Sequence, residues 1–327
     1  MRAVVFEKPS NGSDLTKVHE VAPPEPQAGE VLIRVECSGI NYVDLMARRG
    51  DRAYVSGWPY HPGLEVAGTI VSTSDEDSHL TIGDRVAAFT RGGGLAEFAV
   101  ADQALTVALP DDVPSAAAAA APLMLSTAQL LLTAVSRLGP GDTLLMHSAG
   151  GGLGTGVAQI ARVLGCRLLI GTVSSPDKEA AAKVAGWDHT LVRDHLLSKR
   201  VAELAPEGVD AVLDPLGTQM LEFDLAHAAR SGRVVLFGNP QGHTLGDLPP
   251  TGKLISENLS VSGFSISSLT RTDPRRVADA LREVVALLSA GRIEVPITVA
   301  DGLEEVADVH DAMAQRRSTG KYVVQVA

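Results

Sequence analysis

The chain has 327 residues, 45% of them hydrophobic and 20% charged, which is enough to bury a sizeable core and to form two domains. Its formal net charge of −11 leaves no basic surplus to neutralise phosphates, which excludes nucleic acid and anionic membranes as partners. The two cysteines, Cys37 and Cys166, are too few for a disulfide framework and point to a reducing, cytoplasmic setting.

Residues 1–6 read as a first strand and lack the apolar core of a secretory signal. Up to about residue 110 the chain shows short alternating segments at 30–35, 65–71, 83–86 and 96–100, with prolines at Pro23, Pro24 and Pro26. This is the pattern of a small, irregular β domain. Ser115 is expected to cap an alanine-rich helix. The apolar stretch 116–132 is broken by Pro122, Ser126, Thr127 and Gln129, so it predicts a buried helix pair and not a membrane span. From Asp142 onward strands alternate with helices: strands at 143–146, 167–172, 210–213 and 233–237, helices at 154–164, 176–185, 196–204 and 219–229. Such alternation predicts a parallel sheet covered on both faces. The chain then reads as a helix at 274–290, a strand at 297–299, a helix at 303–315 and a last strand at 322–326. The charge runs Asp75-Glu76-Asp77 and Arg316-Arg317 are short and read as solvated surface.

The loop His147-Ser148-Ala149-Gly150-Gly151-Gly152-Leu153-Gly154 lies between the first strand and first helix of the alternating region. A glycine loop in that place presents backbone N–H groups to a phosphate. In the dinucleotide register Ala149-Gly151-Gly154, Gly151 lets the backbone approach a pyrophosphate and Gly154 lets the helix pack closely, while alanine replaces the first glycine. Twenty residues beyond Gly154, where an NAD enzyme carries an acid for the ribose, stand Ser174 and Ser175, followed by Lys178. Hydroxyls and an ammonium suit a 2′-phosphate, which a carboxylate would repel, so the expected cofactor is NADP(H). Asp177 reads as a helix-start charge.

The chain resembles the medium-chain dehydrogenase/reductase superfamily, and within it the zinc-free quinone oxidoreductase family. The resemblance rests on the shared order of Ser38-Gly39-Ile40-Asn41-Tyr42-Val43-Asp44, Pro62-Gly63-Leu64-Glu65-Val66-Ala67-Gly68, Gly83-Asp84-Arg85-Val86, the glycine loop, Asp214-Pro215-Leu216-Gly217, Phe237-Gly238-Asn239 and Thr319-Gly320-Lys321. It implies an α/β fold: a GroES-like β domain over residues 1–118, completed by about 266–327, and a Rossmann domain with a doubly wound parallel sheet over 119–265. It also implies an active site in the cleft between them and a homodimer paired through a Rossmann edge strand near residues 261–266.

Where zinc relatives carry a metal cysteine and a metal histidine, this chain has Asn41 and Leu64, and no four-cysteine lobe follows Arg91. His61, beside a turn proline, reads as structural. Without a Lewis acid, hydride transfer suits an acceptor that is already polarised, such as a quinone or an α,β-unsaturated carbonyl. The resemblance places Asn41 near the nicotinamide ribose, while spacing and residue type assign Gly151, Gly152, Leu153 and Gly154 to the pyrophosphate and Ser174, Ser175 and Lys178 to the 2′-phosphate. Arg193 assists as part of a basic pair whose tyrosine is replaced by Val192. Phe237, Gly238 and Phe264 fall at strand ends near the nicotinamide. Ser126 and Thr127 fall where relatives carry Gly-Leu-Thr, with Ala128 at the threonine's place. Tyr54 is the candidate pocket tyrosine and proton donor, although relatives place theirs closer to the glycine, where this chain has Arg52; Tyr42 and Tyr60 are other candidates, and water can serve instead. Two other readings remain: an enoyl-thioester reductase of a biosynthetic pathway, and a non-enzymatic NADPH-binding sensor.

Overall fold

The structure is a computed structural model that describes residues 1–51, 54–55, 57–74, 80–248 and 251–326. Asp75-Glu76-Asp77 and Arg52 lie outside the described residues. Arg316 and Arg317 are exposed. The chain divides into two compact units, residues Met1–Ser126 with Ser267–Ala327, and residues Thr127–Ile266.

The first unit is β-rich. Strands β1 (Arg2–Phe6) and β2 (Thr16–Glu20) form an antiparallel pair. A larger sheet joins β3 (Glu30–Ile40), β4 (Glu65–Thr73), β5 (Arg85–Phe89), β6 (Phe98–Asp102) and β7 (Thr106–Ala108) to the C-terminal strands of the chain. Val31, Ile33 and Val35 of β3 alternate inward onto Val66, Ile70, Val86 and Ala99, as expected of a half-buried antiparallel sheet. One short helix, Tyr42–Arg49, follows β3 and ends on left-handed Gly50.

The second unit is a six-stranded parallel sheet. Its strands are β8 (Thr143–His147), β9 (Leu168–Val173), β10 (His189–Val192), β11 (Val209–Asp214), β12 (Ala228–Leu236) and β13 (Ser260–Gly263), in the order β10-β9-β8-β11-β12-β13. Counted within the unit this is the 3-2-1-4-5-6 order of a dinucleotide-binding sheet, with β13 at one edge. All five residues of β8 are buried, because the central strand of a parallel sheet is covered on both faces. The unit's helices include Gly152–Val163, Glu179–Ala185, Leu197–Leu204 and Leu221–His227.

After Ile266 the chain returns to the first unit. The helix Pro274–Ser289 has proline in its first turn, and Asp273 caps it by accepting from the Arg276 N–H at 3.2 Å. Strand β14 (Ile297–Asp301) pairs parallel with β15 (Lys321–Gln325), which pairs antiparallel with β3.

Two local expectations need correction. Ser115 is the first residue of the helix Ser115–Ala118 and not its cap; Pro114 holds that place, and the Ser115 hydroxyl donates to Glu36 Oε2 at 2.6 Å. The apolar stretch is a chain of short pieces: that helix, a π-helical turn at Ala121–Leu125, an α-helix at Ser126–Leu130 and a second π turn at Leu131–Val135. Among the described residues no helix is long and apolar enough to cross a membrane.

Candidate active site and nucleotide loop

In the β-rich unit, four chain segments bring polar groups together around Glu65. Pairing of β15 with β3 aligns Tyr322 with Ile40, which sets Lys321 beside Asn41. The Lys321 ammonium is buried and donates to Glu65 Oε1 at 2.5 Å, to Asn41 Oδ1 at 2.8 Å and to the Ile40 carbonyl at 3.0 Å. Asn41 Nδ2 donates to Glu65 Oε1 at 2.8 Å and to the Gly39 carbonyl at 3.2 Å. The other carboxylate oxygen of Glu65 accepts the backbone N–H of Leu123 at 2.8 Å and of Met124 at 3.4 Å. These N–H groups open the π turn at Ala121–Leu125 and have no partner inside it, so Glu65 serves as its cap from a distant strand. Both oxygens of this fully buried carboxylate are thereby satisfied, the condition under which a buried ion pair persists.

Asn41 also starts the helix Tyr42–Arg49: its backbone N–H donates to Asp44 Oδ2 at 2.8 Å. Asp44 Oδ1 accepts from Gly63 N at 3.2 Å. Burial pushes the Asp44 carboxyl up to about 6, against the pull of those two N–H groups and of Lys321. Asn41 is thus a helix cap by its backbone and part of a charged network by its amide.

Tyr54 lies just after this helix, with its N–H on the Asp51 carbonyl at 2.9 Å. Burial and the Asp51 charge push its phenol above the ordinary value, which makes it a weaker acid. Its described contacts run to Asp51 and not to Asn41. Tyr60 is pushed up to about 12, by burial and by Asp44, and stacks on Phe6. His61 is half-buried, and its carbonyl accepts from Gly93. The Ser126 hydroxyl donates to the Ala121 carbonyl at 3.0 Å, and Thr127 is buried.

In the parallel-sheet unit, the glycine loop runs from the end of β8 into the helix Gly152–Val163. Ser148, at φ 63°, makes the left-handed turn, so Ala149 fills the first glycine's place without strain. A Cβ on Gly154 would lie 2.3 Å from the Ala149 carbonyl oxygen, so only glycine fits there. A Cβ on Gly151 would meet nothing nearer than the Ser148 carbonyl at 3.5 Å, which leaves that face of the loop open. Gly151 is the helix N-cap and Gly152, Leu153 and Gly154 form the first turn, where the backbone N–H groups have no helical acceptor.

Of the expected 2′-phosphate residues, Lys178 lies against this loop. A Cβ on Gly150 would come 3.4 Å from the Lys178 Cβ. Ser174 follows β9 and is exposed; Ser175 is half-buried, and its hydroxyl bonds Asp177, whose carboxyl it holds below the ordinary range. Arg193 follows β10, anchored by its N–H to the Val173 carbonyl at 2.9 Å, so it stands beside Ser174. Phe237 and Phe264 sit at the carboxyl ends of β12 and β13, with their N–H groups on the Asp214 and Leu236 carbonyls. A Cβ on Gly238 would lie 2.5 Å from the Pro215 carbonyl oxygen. Loop, Ser174, Ser175, Lys178 and Arg193 gather at the carboxyl ends of the adjacent strands β8, β9 and β10, while Phe237, Gly238 and Phe264 take the other half of the same edge.

Behind the loop lies a buried cluster that sequence reading missed. His147 Nε2 is 2.8 Å from Asp224 Oδ1 and His147 Nδ1 is 2.7 Å from Thr172 Oγ1. Arg193 Nη1 donates to the same Thr172 oxygen at 3.1 Å. Asp214 Oδ1 accepts from Leu216 N at 2.6 Å. No N–H or hydroxyl among the described residues reaches Oδ2 of Asp214 or Asp224, and the two carboxyls bond each other, so one of them carries a proton. Burial, then the Asp224 charge, pushes Asp214 up to about 7; burial pushes Asp224 up to about 7 against the bond from Asp214. Burial and Arg193 hold His147 down to about 4, against the pull of Asp214, so its imidazole is neutral. The 2.8 Å approach to Asp224 is therefore a hydrogen bond and not an ion pair.

Comparison with known proteins agrees with this geometry. Residues 27–111 match the family model of the alcohol dehydrogenase GroES-like domain, and residues 152–286 match that of the zinc-binding dehydrogenases. A quinone oxidoreductase of Pseudomonas aeruginosa is 32% identical over 321 residues, covering 96% of each chain. The chain belongs to the medium-chain dehydrogenase/reductase superfamily, in its zinc-free quinone oxidoreductase family. The human synaptic vesicle membrane protein VAT-1 homolog-like is 30% identical over 343 residues, covering all of this chain and 81% of that one. Among solved structures, a mycobacterial protein complexed with NADPH superposes with a TM-score of 0.88 at 30% identity, covering 99% of each chain. The first unit is thus the GroES-like unit and the second the Rossmann unit of an oxidoreductase fold.

Proposed function

We propose that this oxidoreductase is a zinc-independent, NADPH-dependent reductase that delivers hydride to quinones or α,β-unsaturated carbonyls. The observation that carries the reading is the Lys321 ammonium seated on Asn41 and Glu65. Zinc, which one matching family model has in its name, does not fit these residues: Leu64 offers no donor atom, and the oxygens of Asn41 and Glu65 already hold a cation. Among the described residues no group of three or more His, Cys, Asp or Glu could hold a metal ion. A site of this kind has no Lewis acid to stabilise an alkoxide, which favours acceptors whose own conjugation spreads the incoming charge.

NADP(H) does fit. The first-turn N–H groups at Gly152, Leu153 and Gly154 and the open face of Gly151 suit a pyrophosphate, and Ser174, Lys178 and Arg193 suit a 2′-phosphate. Ser175 would have to leave Asp177 to join them. When bound, the nicotinamide supplies the hydride. The chain's part is orientation. Asn41 has its amide direction set by Lys321 and Glu65, so Oδ1 keeps a lone pair for a ribose or substrate hydroxyl. The contact of Tyr54 runs to Asp51 and, among the described residues, none joins it to Asn41, so we assign the final proton to solvent and leave Tyr54 as a pocket residue. The two free cysteines are buried, and burial pushes both thiols up to about 11, which keeps them protonated and poorly reactive.

The test is NADPH oxidation with 1,4-benzoquinone, a simple enone and a crotonyl thioester side by side, with and without chelator. Turnover of quinone or enone that survives the chelator is expected. Loss of activity on chelation, or turnover of the thioester alone, sinks the proposal.

A further inference from the structure

The nucleotide loop of the Rossmann unit rests on a buried tryptophan. Trp187 lies between the helix Glu179–Ala185 and β10, is 4% exposed, and donates its indole N–H to the Gly154 carbonyl at 3.2 Å. An indole only donates, so the direction of this bond is fixed. The place of the ring is fixed too. A Cβ on Gly171 of β9 would lie 2.5 Å from the Ala149 Cβ and 2.9 Å from the Trp187 Cδ2, so the alanine methyl and the indole share the space that a side chain at 171 would fill. Ala149 in turn backs onto Gly154, where a Cβ would lie 2.3 Å from the Ala149 oxygen. Ala149, Gly171, Trp187 and Gly154 thus close a ring of contacts beneath the loop. The bond leads onward through the backbone. The Gly154 carbonyl belongs to the peptide that carries the Thr155 N–H, and that N–H donates to the Gly151 carbonyl at 3.0 Å. The Thr155 hydroxyl donates to the same oxygen at 3.3 Å. The Gly151 carbonyl belongs to the peptide that carries the Gly152 N–H, which opens the helix and has no helical acceptor. A peptide that accepts at its oxygen donates more strongly at its nitrogen, so polarisation runs from the indole through two peptides to the Gly152 N–H.

We infer that Trp187 is a positioning residue for the pyrophosphate: its indole N–H, acting through the Gly154 and Gly151 peptides, holds and polarises the first-turn N–H of Gly152 that meets the nucleotide. The inference rests on the NADP(H) reading above. It adds that the grip on the pyrophosphate is set from beneath the loop, by a buried side chain. A loop with glycine at 150, 151, 152 and 154 is otherwise costly to hold in one conformation, because glycine loses the most freedom on ordering. Here the first turn is tied to a rigid indole that is itself wedged between two strands, β9 and β10.

The test is calorimetric titration of the intact protein with NADPH, NADH and adenosine 2′-monophosphate, for wild type and Trp187→Phe. Phenylalanine keeps an aromatic ring and removes the N–H. Adenosine 2′-monophosphate keeps the 2′-phosphate and lacks a pyrophosphate. Trp187→Phe is expected to weaken NADPH and NADH alike, by about fivefold, the loss of one hydrogen bond. Binding of adenosine 2′-monophosphate is expected to stay within about twofold of wild type. Equal loss for all three probes would mark a general lesion of the unit and overturn the inference, as would a folded variant with unaltered affinity for NADPH. If phenylalanine disturbs folding, as checked by circular dichroism, the benzothienyl analogue of tryptophan at 187, in a Trp58→Phe background, removes the donor alone, because sulfur takes the place of the N–H. Wild type that binds neither dinucleotide would instead sink the cofactor reading. Wild type that does not bind adenosine 2′-monophosphate sinks its 2′-phosphate part, and adenosine then serves as the probe without a pyrophosphate. Those failures are read on wild type and that of the inference on the variant, so they are distinct.

Discussion

In the GroES-like unit the buried carboxylate of Glu65 meets an ammonium, an amide and two backbone N–H groups. In the Rossmann unit the buried carboxyls of Asp214 and Asp224 meet one imidazole, one backbone N–H and each other. The first cluster balances its charge and uses every carboxylate oxygen. The second has no cation on its carboxyls and relies on a shared proton. Burial costs a charge the same in both places, and the two solutions differ in what they are sensitive to. An ion pair is sensitive to the loss of a partner. A proton-sharing pair is sensitive to pH.

The largest effect should come from breaking the ion pair. Lys321→Met strands the Glu65 charge inside the protein and should cost about 3–5 kcal/mol of stability, read from urea denaturation. Adding Glu65→Gln to that variant removes the stranded charge and should recover a large part of the loss. A single variant as stable as wild type would mean that Lys321 and Glu65 are not paired as described.

A smaller effect, with a definite sign, comes from the carboxyl pair. Asp214 and Asp224 are raised to about 7 from an ordinary 3.8, so the stability they lend is full below the ordinary value and is lost as pH rises through about 7. His147 runs the other way: it is lowered to about 4, so its contribution is full above 6.5 and is lost as pH falls through about 4. Measuring between pH 6.5 and 8.5 therefore isolates the carboxyls. Asp224→Asn keeps an acceptor for His147 and a donor for Asp214 but cannot ionise. Relative to wild type it should gain about 1–3 kcal/mol across that window. A wild-type-like pH slope in the variant would show that the pair does not share a proton.

The smallest effect separates the two units by function. Lys178→Glu, against the glycine loop, should raise the KM for NADPH by roughly tenfold, about 1.4 kcal/mol, with kcat little changed. The KM for the quinone should stay near wild type, because Lys178 belongs to the Rossmann unit and Asn41 to the GroES-like unit. Equal loss in both constants would argue that Lys178 acts on the fold.

The sequence alone determined the features that are local. Alternation and periodicity located the four inner strands β8, β9, β11 and β12, most ends to within a residue, because their burial is written at the spacing of the element itself. They missed the edge strands β10 and β13 and the first five residues of β12, which are short or more exposed. The glycine loop was legible because close backbone approach at Gly154 demands a missing side chain; the assignment of Ser174 and Lys178 to a 2′-phosphate is a proposal from residue type and spacing. Leu64 and Asn41 spoke against zinc by composition alone.

Only the tertiary structure decided which buried polar groups meet. Lys321 and Glu65 are 256 positions apart and become neighbours through the pairing of β15 with β3 and of β3 with β4. His147 is the residue by which β8 runs past its predicted end at Met146, and its partners come from a neighbouring strand and a distant helix. A lysine opening an apolar strand and a histidine closing one were the signals present. Neither says what it bonds to, because hydrogen-bond partners in a core are set by strand order and helix packing, and those are set by the whole chain.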